Sequence, residues 1–302
     1  MASLLNRSPE IAVTPETHFF RNYLPSLNAR RPDSSSASEI QRFLSSPRIR
    51  DLRLNSGVAL KRLSRATRHE DYLPIALELY GNDKGKIWVG EKTPAHIVYF
   101  SEIFEAYGNK KFIYIVRDGR DCALSNMRQS WTHRNPVKQA AEWSFFIRQA
   151  DRYIDQFPEM IYKIYYEDLV KNPEEVIASI GQFLGLRLEW KLLANMSSDS
   201  SPTPKWEQDW KGGANLNPNP ENVLKWRNHA DQKLISKLTY VMKDELGQHG
   251  YDDAHPLKLT MQDRLVLFPY RYRIYSILKD ISANRFMKYF RSLCSNFRIR
   301  RS

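Results

Sequence analysis

Between Lys86 and Gly185 the sequence alternates short apolar runs with helix signals, and that alternation limits the fold more than any other feature. "KIWV" (86–89) reads as a strand. In "GEKTPAHIVYFSEIFEAYGN", Thr93 suits an N-cap, Pro94 the first helical position and Gly108 the end of the helix. "KFIYIV" (111–116) is a second strand, apolar enough to predict burial on both faces. Helices are predicted over 119–130 and 137–157, the second with Ala140, Ser144, Ile147 and Ile154 near helical spacing. "MIYKIYYEDLV" (160–170) supplies another strand. "NPEEVIASIGQFLG" follows as a helix capped by Asn172, with Pro173, Glu174 and Glu175 in its first turn. Strands alternating with helices imply right-handed βαβ units, hence an α/β domain around a parallel sheet.

The remaining segments have a different character. Residues 28–39 are polar and Ser-rich, as a loop or lid is, and residues 197–222 form a long loop rich in Pro, Gly and Asn. The net charge of +12 over 302 residues is unevenly spread. From Pro256 to Ser302, 11 Lys and Arg stand against Asp263 and Asp280, so this stretch holds +9 of the total. The division expected is one domain over 1–255 and a basic extension over 256–302, helical after Pro269. Such a basic, aromatic-rich segment suits an anionic membrane surface or an acidic acceptor, and equally a helix packed on the domain with a solvated basic face. No helix-turn-helix, zinc-finger or RNP-like pattern accompanies the charge, which argues against nucleic acid as a partner.

Two cysteines, Cys122 and Cys294, far apart in unlike contexts, fit a reducing compartment better than a disulfide framework. "MASLLNRSPE" is short and polar for a signal peptide, and no apolar run approaches the ~20 residues of a membrane span. The expected location is cytoplasmic, with the tail as the element able to meet a membrane. The seven histidines lack zinc-type spacing and no CxxC occurs, so no metal is expected.

Arg117 ends the strand "KFIYIV" and Ser125 follows eight positions later. Ligands of parallel α/β sheets bind at the carboxyl ends of strands. There a guanidinium can clamp a phosphate bidentately, a Ser hydroxyl can donate to it, and the helix N-terminus near Gly119 favours an anion. Spacing alone equally allows Arg117 to pair with Asp118 or Asp121 at the surface.

The segment "FIYIVRDGRDCALSN" (112–126) resembles the 3′-phosphate-binding segment of sulfotransferases that use 3′-phosphoadenosine-5′-phosphosulfate (PAPS), in the branch of tyrosylprotein and bacterial sulfotransferases. The resemblance implies that Arg117 and Ser125 grip the donor's 3′-phosphate. "SPEIAVTPETHFF" (8–20) is similar to the segment carrying the family's catalytic Glu, implying Glu16 as base, and "EKTP" implies Lys92 beside the transferred sulfuryl group. "YYEDLVKNPEEV" implies Tyr166 near the nucleotide, and "NPNPENVLKWRNH" implies Asn219 and Lys225 in a late loop closing over it. Taken without the resemblance, Glu16 caps a helix start, Lys92 and Lys225 are solvated lysines, Tyr166 is a core aromatic and Trp226 packs.

The family's fold is a P-loop-type three-layer αβα domain. Its opening strand and P-R-S/C-G-T-T/S loop, which hold the 5′-phosphosulfate, do not occur in this sequence. Two explanations are open: a sequence that starts downstream of that loop, which "ASLLN" as the end of the following helix favours, or a relative without transferase activity. The expected activity is sulfuryl transfer from PAPS to a hydroxyl acceptor: a Tyr residue, carbohydrate, lipid or small phenol. The alternative is a catalytically inactive nucleotide-binding or interaction relative. A nucleotide kinase is disfavoured because no G-x-x-x-x-G-K-[ST] occurs.

Overall fold

The computed structural model describes residues 1–25, 37–108, 110–127, 134–195, 217–251 and 257–272. Four strands are present among them: β1 (Ile11–Thr14), β2 (Trp88–Glu91), β3 (Phe112–Val116) and β4 (Ile161–Tyr165). The helices that matter for the site are α1 (Ala2–Leu5), α2 (Tyr72–Asp83), α3 (Phe100–Tyr107), α4 (Gly119–Asn126), α5 (Pro136–Gln156), α6 (Tyr166–Lys171), α7 (Pro173–Leu184), α8 (Gln232–Gln248) and α9 (Met261–Arg271). The strands pair two by two, β1 with β2 and β3 with β4. The first pair is parallel, with Ile11 opposite Trp88 and Thr14 opposite Glu91.

The chain divides into two compact units, Met1–Tyr114 with Gln156–Asn219, and Ile115–Asp155 with Pro220–Ser302. The core of the first is built on β1. Successive side chains of a strand point to opposite faces. Ala12 accordingly enters a cluster with Phe19, Phe20, Ile40, Phe43 and Tyr72, while Ile11 and Val13 enter another with Leu4, Leu5, Ile164, Leu169, Ile177 and Ile180. All four residues of β1 are buried, the condition of a strand covered on both faces.

The boundaries follow local chemistry. Helix α7 starts at Pro173 with two acidic residues in its first turn. It ends where Gly185 takes φ 77°, letting the Gly185 and Leu186 N–H groups satisfy the carbonyls of Gln182 and Gly181. Helix α9 begins with a capping box: Thr260 Oγ1 accepts from the Asp263 N–H at 3.1 Å, and Asp263 accepts from the Thr260 N–H at 3.3 Å.

Several boundaries differ from expectation. The strand predicted over 160–170 stops at Tyr165, where Glu167 and Asp168 open α6 with charge favourable to its dipole. Thr93 does not cap through its side chain, and a 3₁₀ segment, Pro94–Tyr99, precedes α3. Helix α9 starts before Pro269 because its cap lies at Thr260. Strand β3 is only half-buried along most of its length, with Ile115 38% exposed. Among the described residues it belongs to a two-stranded sheet, so it is an edge strand rather than a covered interior one. Residues 26–36, 196–216 and 273–302, which contain most of both predicted loops and most of the basic extension, lie outside the described residues.

Candidate functional site

In the first unit the parallel register brings Thr14 and Glu91 side by side as the last residues of β1 and β2. The next residues therefore leave the sheet together at its carboxyl edge, where α/β folds bind ligands. Pro15-Glu16 leaves one strand and Lys92-Thr93 the other. Lys92 Nζ and Glu16 Oε1 form an ion pair, with Lys92 nearly half exposed and Glu16 largely covered. The second Glu16 oxygen lies 3.3 Å from His18 Nε2. His18 holds φ 51°, a left-handed conformation that costs a non-glycine residue energy and persists only where surrounding contacts enforce it.

Those contacts radiate from Glu91. Its Oε1 accepts from the Thr17 N–H and the Thr17 hydroxyl, both at 2.9 Å, and from the Thr93 hydroxyl. Thr93 Oγ1 in turn accepts from the His18 N–H at 3.2 Å. Glu91 Oε2 lies 3.0 Å from His96 Nδ1. Burial alone would raise the Glu91 pKa, but the bonds from His96, Thr93 and Thr17 outweigh it and hold the carboxyl below its ordinary value. A buried anion thus ties the Glu16 loop to the Lys92 loop.

In the second unit Arg117 follows β3 directly. Its guanidinium donates to the Asn222 carbonyl at 2.6 Å and lies 3.8 Å from Asp121. Its own carbonyl accepts from Trp143 Nε1 at 3.1 Å. Gly119 lets α4 start close to its neighbours: a Cβ there would lie 2.5 Å from Met242 Sδ and 2.6 Å from the Trp143 ring. Asp118 caps α4 and pairs with Arg120, and both side chains are fully buried. Arg120 also donates to the Tyr251 carbonyl at 2.6 Å and stacks 3.7 Å from the Trp226 ring centroid. The Trp226 N–H reaches Asp121 Oδ1 at 2.9 Å. Burial is the main cause that pushes the Asp121 carboxyl upward.

Arg117 and the late loop are therefore brought together, through Asn222 and through the Trp226–Asp121 bond. Ser125 is exposed on α4, and Lys225 is exposed on the 3₁₀ turn Lys225–Asn228. Trp226 is buried packing, as its bland reading held. Tyr166 stands half-buried at the first position of α6, directly after β4, and Asn219 is half-buried in the first unit. So Glu16, Lys92, Tyr166 and Asn219 belong to one unit, and Arg117, Ser125 and Lys225 to the other.

Sequence reasoning missed Glu91 and Arg120. Glu91 read as part of "EKTP" only, although it ends one strand as Thr14 ends the other. Arg120 drew no reading of its own within "FIYIVRDGRDCALSN", yet it is wholly buried.

A model of the sulfotransferase family matches residues 1–190. The chain belongs to the sulfotransferase family. Among its relatives are two nematode proteins, each described as a putative protein-tyrosine sulfotransferase. That of Caenorhabditis elegans is 24% identical over 169 residues, covering 54% of this chain and 65% of the relative. That of Caenorhabditis briggsae is 25% identical, covering 54% and 60%. The chain thus spans less than two thirds of the length of these relatives. The sulfotransferase domain of the curacin biosynthetic pathway superposes with a TM-score of 0.55 at 18% identity, covering 83% of this chain and 92% of that domain. The sulfotransferase domain of the Synechococcus PCC 7002 olefin synthase gives 0.53 at 18%, covering 76% and 82%. At that identity the likeness establishes the fold: the α/β class expected from the strand–helix alternation, in the sulfotransferase form that the motif resemblance implied.

Proposed function

We propose that this sulfotransferase moves a sulfuryl group from 3′-phosphoadenosine-5′-phosphosulfate to a hydroxyl acceptor, with Glu16 as general base. The observation that carries this reading is the pairing of Glu16 with Lys92 at the carboxyl edge of the parallel β1–β2 pair. The acceptor oxygen attacks sulfur as Glu16 takes its proton. The bond from sulfur to the bridging phosphate oxygen breaks, and 3′,5′-phosphoadenosine leaves. Lys92, already beside the carboxylate, offsets charge on the sulfuryl and bridging oxygens. Arg117 and Ser125 hold the 3′-phosphate, while Tyr166, Asn219 and Lys225 contact the nucleotide. The 5′-phosphosulfate end is assigned to no residue of this sequence. The relatives' description makes tyrosine peptides the first acceptors to try. No metal has a part in this chemistry.

The test is a thermal-shift titration with 3′,5′-phosphoadenosine against ATP, followed by sulfuryl transfer from labelled PAPS to tyrosine peptides, saccharides and phenols. A selective shift with turnover supports the reading. A selective shift without turnover on any acceptor, also in a chain extended by a strand and phosphate loop, favours the inactive relative. A folded chain that discriminates neither nucleotide overturns both.

A further inference from the structure

Helix α9 is fastened on one side and open on another. Leu267 is buried, and Asp263 lies 3.4 Å from Lys233 and 3.3 Å from Lys237. Arg271 donates to the Tyr240 carbonyl at 3.2 Å and to Asp244 at 3.1 Å. All four of these partners lie on α8, so this side of α9 is fixed to the body of the second unit. Met261, Leu265, Phe268 and Tyr272 point elsewhere and are 74%, 65%, 46% and 51% exposed. Their spacing of four, three and four places them in one stripe, within about 60° of arc. The Phe268 and Tyr272 rings touch within the stripe, with centroids 4.5 Å apart.

A soluble helix turns such a stripe inward; here the inward positions are taken by Leu267 and the ionic contacts. The exposed charge nearby is positive, Arg264 within the helix and Lys258 before it, whereas Asp263 is turned to α8. The sequence beyond Tyr272 adds eight Lys and Arg against Asp280. The stripe offers roughly 500 Å² of apolar surface, short of the about 800 Å² per partner that a stable protein interface buries. It matches a helix lying in a bilayer interface, where apolar burial and attraction to anionic headgroups act together. Among the described residues no helix is long and apolar enough to cross a membrane.

We propose that α9 docks this protein on an anionic lipid surface, the Met261–Leu265–Phe268–Tyr272 stripe entering the acyl boundary and Arg264 and Lys258 meeting the headgroups. The surface contact is independent of the sulfuryl-transfer reading and stands or falls apart from it.

The test is sedimentation of the full chain with phosphatidylcholine vesicles, with and without phosphatidylserine. The wild type sediments with the anionic vesicles and at least about tenfold less with the neutral ones. Leu265→Glu/Phe268→Glu reduces binding about tenfold or more, with circular dichroism and Tm unchanged because both side chains are exposed. Lys258→Glu/Arg264→Glu weakens it and flattens its salt dependence. Absence of wild-type binding overturns the proposal. So does equal binding by the Leu265→Glu/Phe268→Glu variant, which would leave only diffuse electrostatic adhesion. A wild-type dimer in sedimentation equilibrium that this variant dissociates would assign the stripe to a second copy instead.

Discussion

The carboxylate of Glu91 accepts hydrogen bonds from both the N–H and the hydroxyl of Thr17, each 2.9 Å long, across the ends of two parallel strands. Through that contact a buried anion sets the path of the chain immediately after Glu16. Its bond from Thr93 does the same immediately after Lys92. Glu91 thus fixes the backbone immediately after each of the two side chains proposed for the chemistry.

Replacing Glu91 tests this arrangement through stability. Glu91→Gln removes a charged acceptor from Thr17, Thr93 and His96 and is expected to cost about 1–3 kcal/mol in urea unfolding near neutral pH. The pH dependence has a definite sign. The folded carboxyl lies below its ordinary value of 4.5, so the unfolded chain takes up its proton first as pH falls. The stabilisation is complete above 4.5 and is lost below it, toward the folded pKa. Glu91→Gln should show a shallower loss of stability across that acid range, and an unchanged slope would refute the assignment.

Glu16→Gln keeps the shape of the side chain and its contact with His18 while removing the base. Turnover is expected to fall about 10²–10⁴-fold with donor affinity little changed. The check is steady-state kinetics set beside calorimetric binding of 3′,5′-phosphoadenosine. Equal losses in both would place Glu16 in binding rather than in proton transfer.

Arg117→Ala is expected to weaken binding of 3′,5′-phosphoadenosine by about 1.5–3 kcal/mol, the range of charge-assisted contacts, and to leave 5′-AMP affinity nearly unaltered. Arg117→Lys should recover little of the loss, because a point charge does not reproduce the guanidinium fork. Calorimetry on the three proteins decides it.

Arg120→Met removes the guanidinium that pairs with the fully buried Asp118 carboxylate. The expected cost is about 3–5 kcal/mol, read from chemical unfolding. Adding Asp118→Asn should restore part of that loss, since the double variant buries no uncompensated charge.

The sequence made the helices legible because punctuation and periodicity agreed. Pro173 and Gly185 bracket α7, and Pro136 and Gln156 bound α5 within one residue of the predicted span. Glu16, Lys92 and Arg117 were legible only by resemblance, since an acidic or basic residue after a strand has many uses. Glu91 was not legible at all. Its burial depends on strands 74 residues apart in sequence falling into register, and nothing local marks a carboxylate for the interior. Arg120 escaped for the same reason, as its partners Tyr251 and Trp226 come from more than a hundred residues downstream. Strand β3 was misjudged in burial because an apolar composition states what a strand tolerates and leaves open what covers it.

In the proposed reading, where Arg117 holds the 3′-phosphate, its hydrogen bond to the Asn222 carbonyl makes nucleotide recognition and loop geometry two readings of one equilibrium. A phosphate arriving at that guanidinium meets a neutral acceptor already in place, so its measured affinity includes whatever the loop gains or loses in the exchange. By linkage, the ratio of nucleotide affinities for the two loop arrangements limits both how far the nucleotide shifts the loop and how far a loop-shifting substitution between Pro220 and Trp226 changes nucleotide affinity. Under that assignment, variation at Val223 or Leu224 tunes how long product stays bound without altering a residue proposed to contact it.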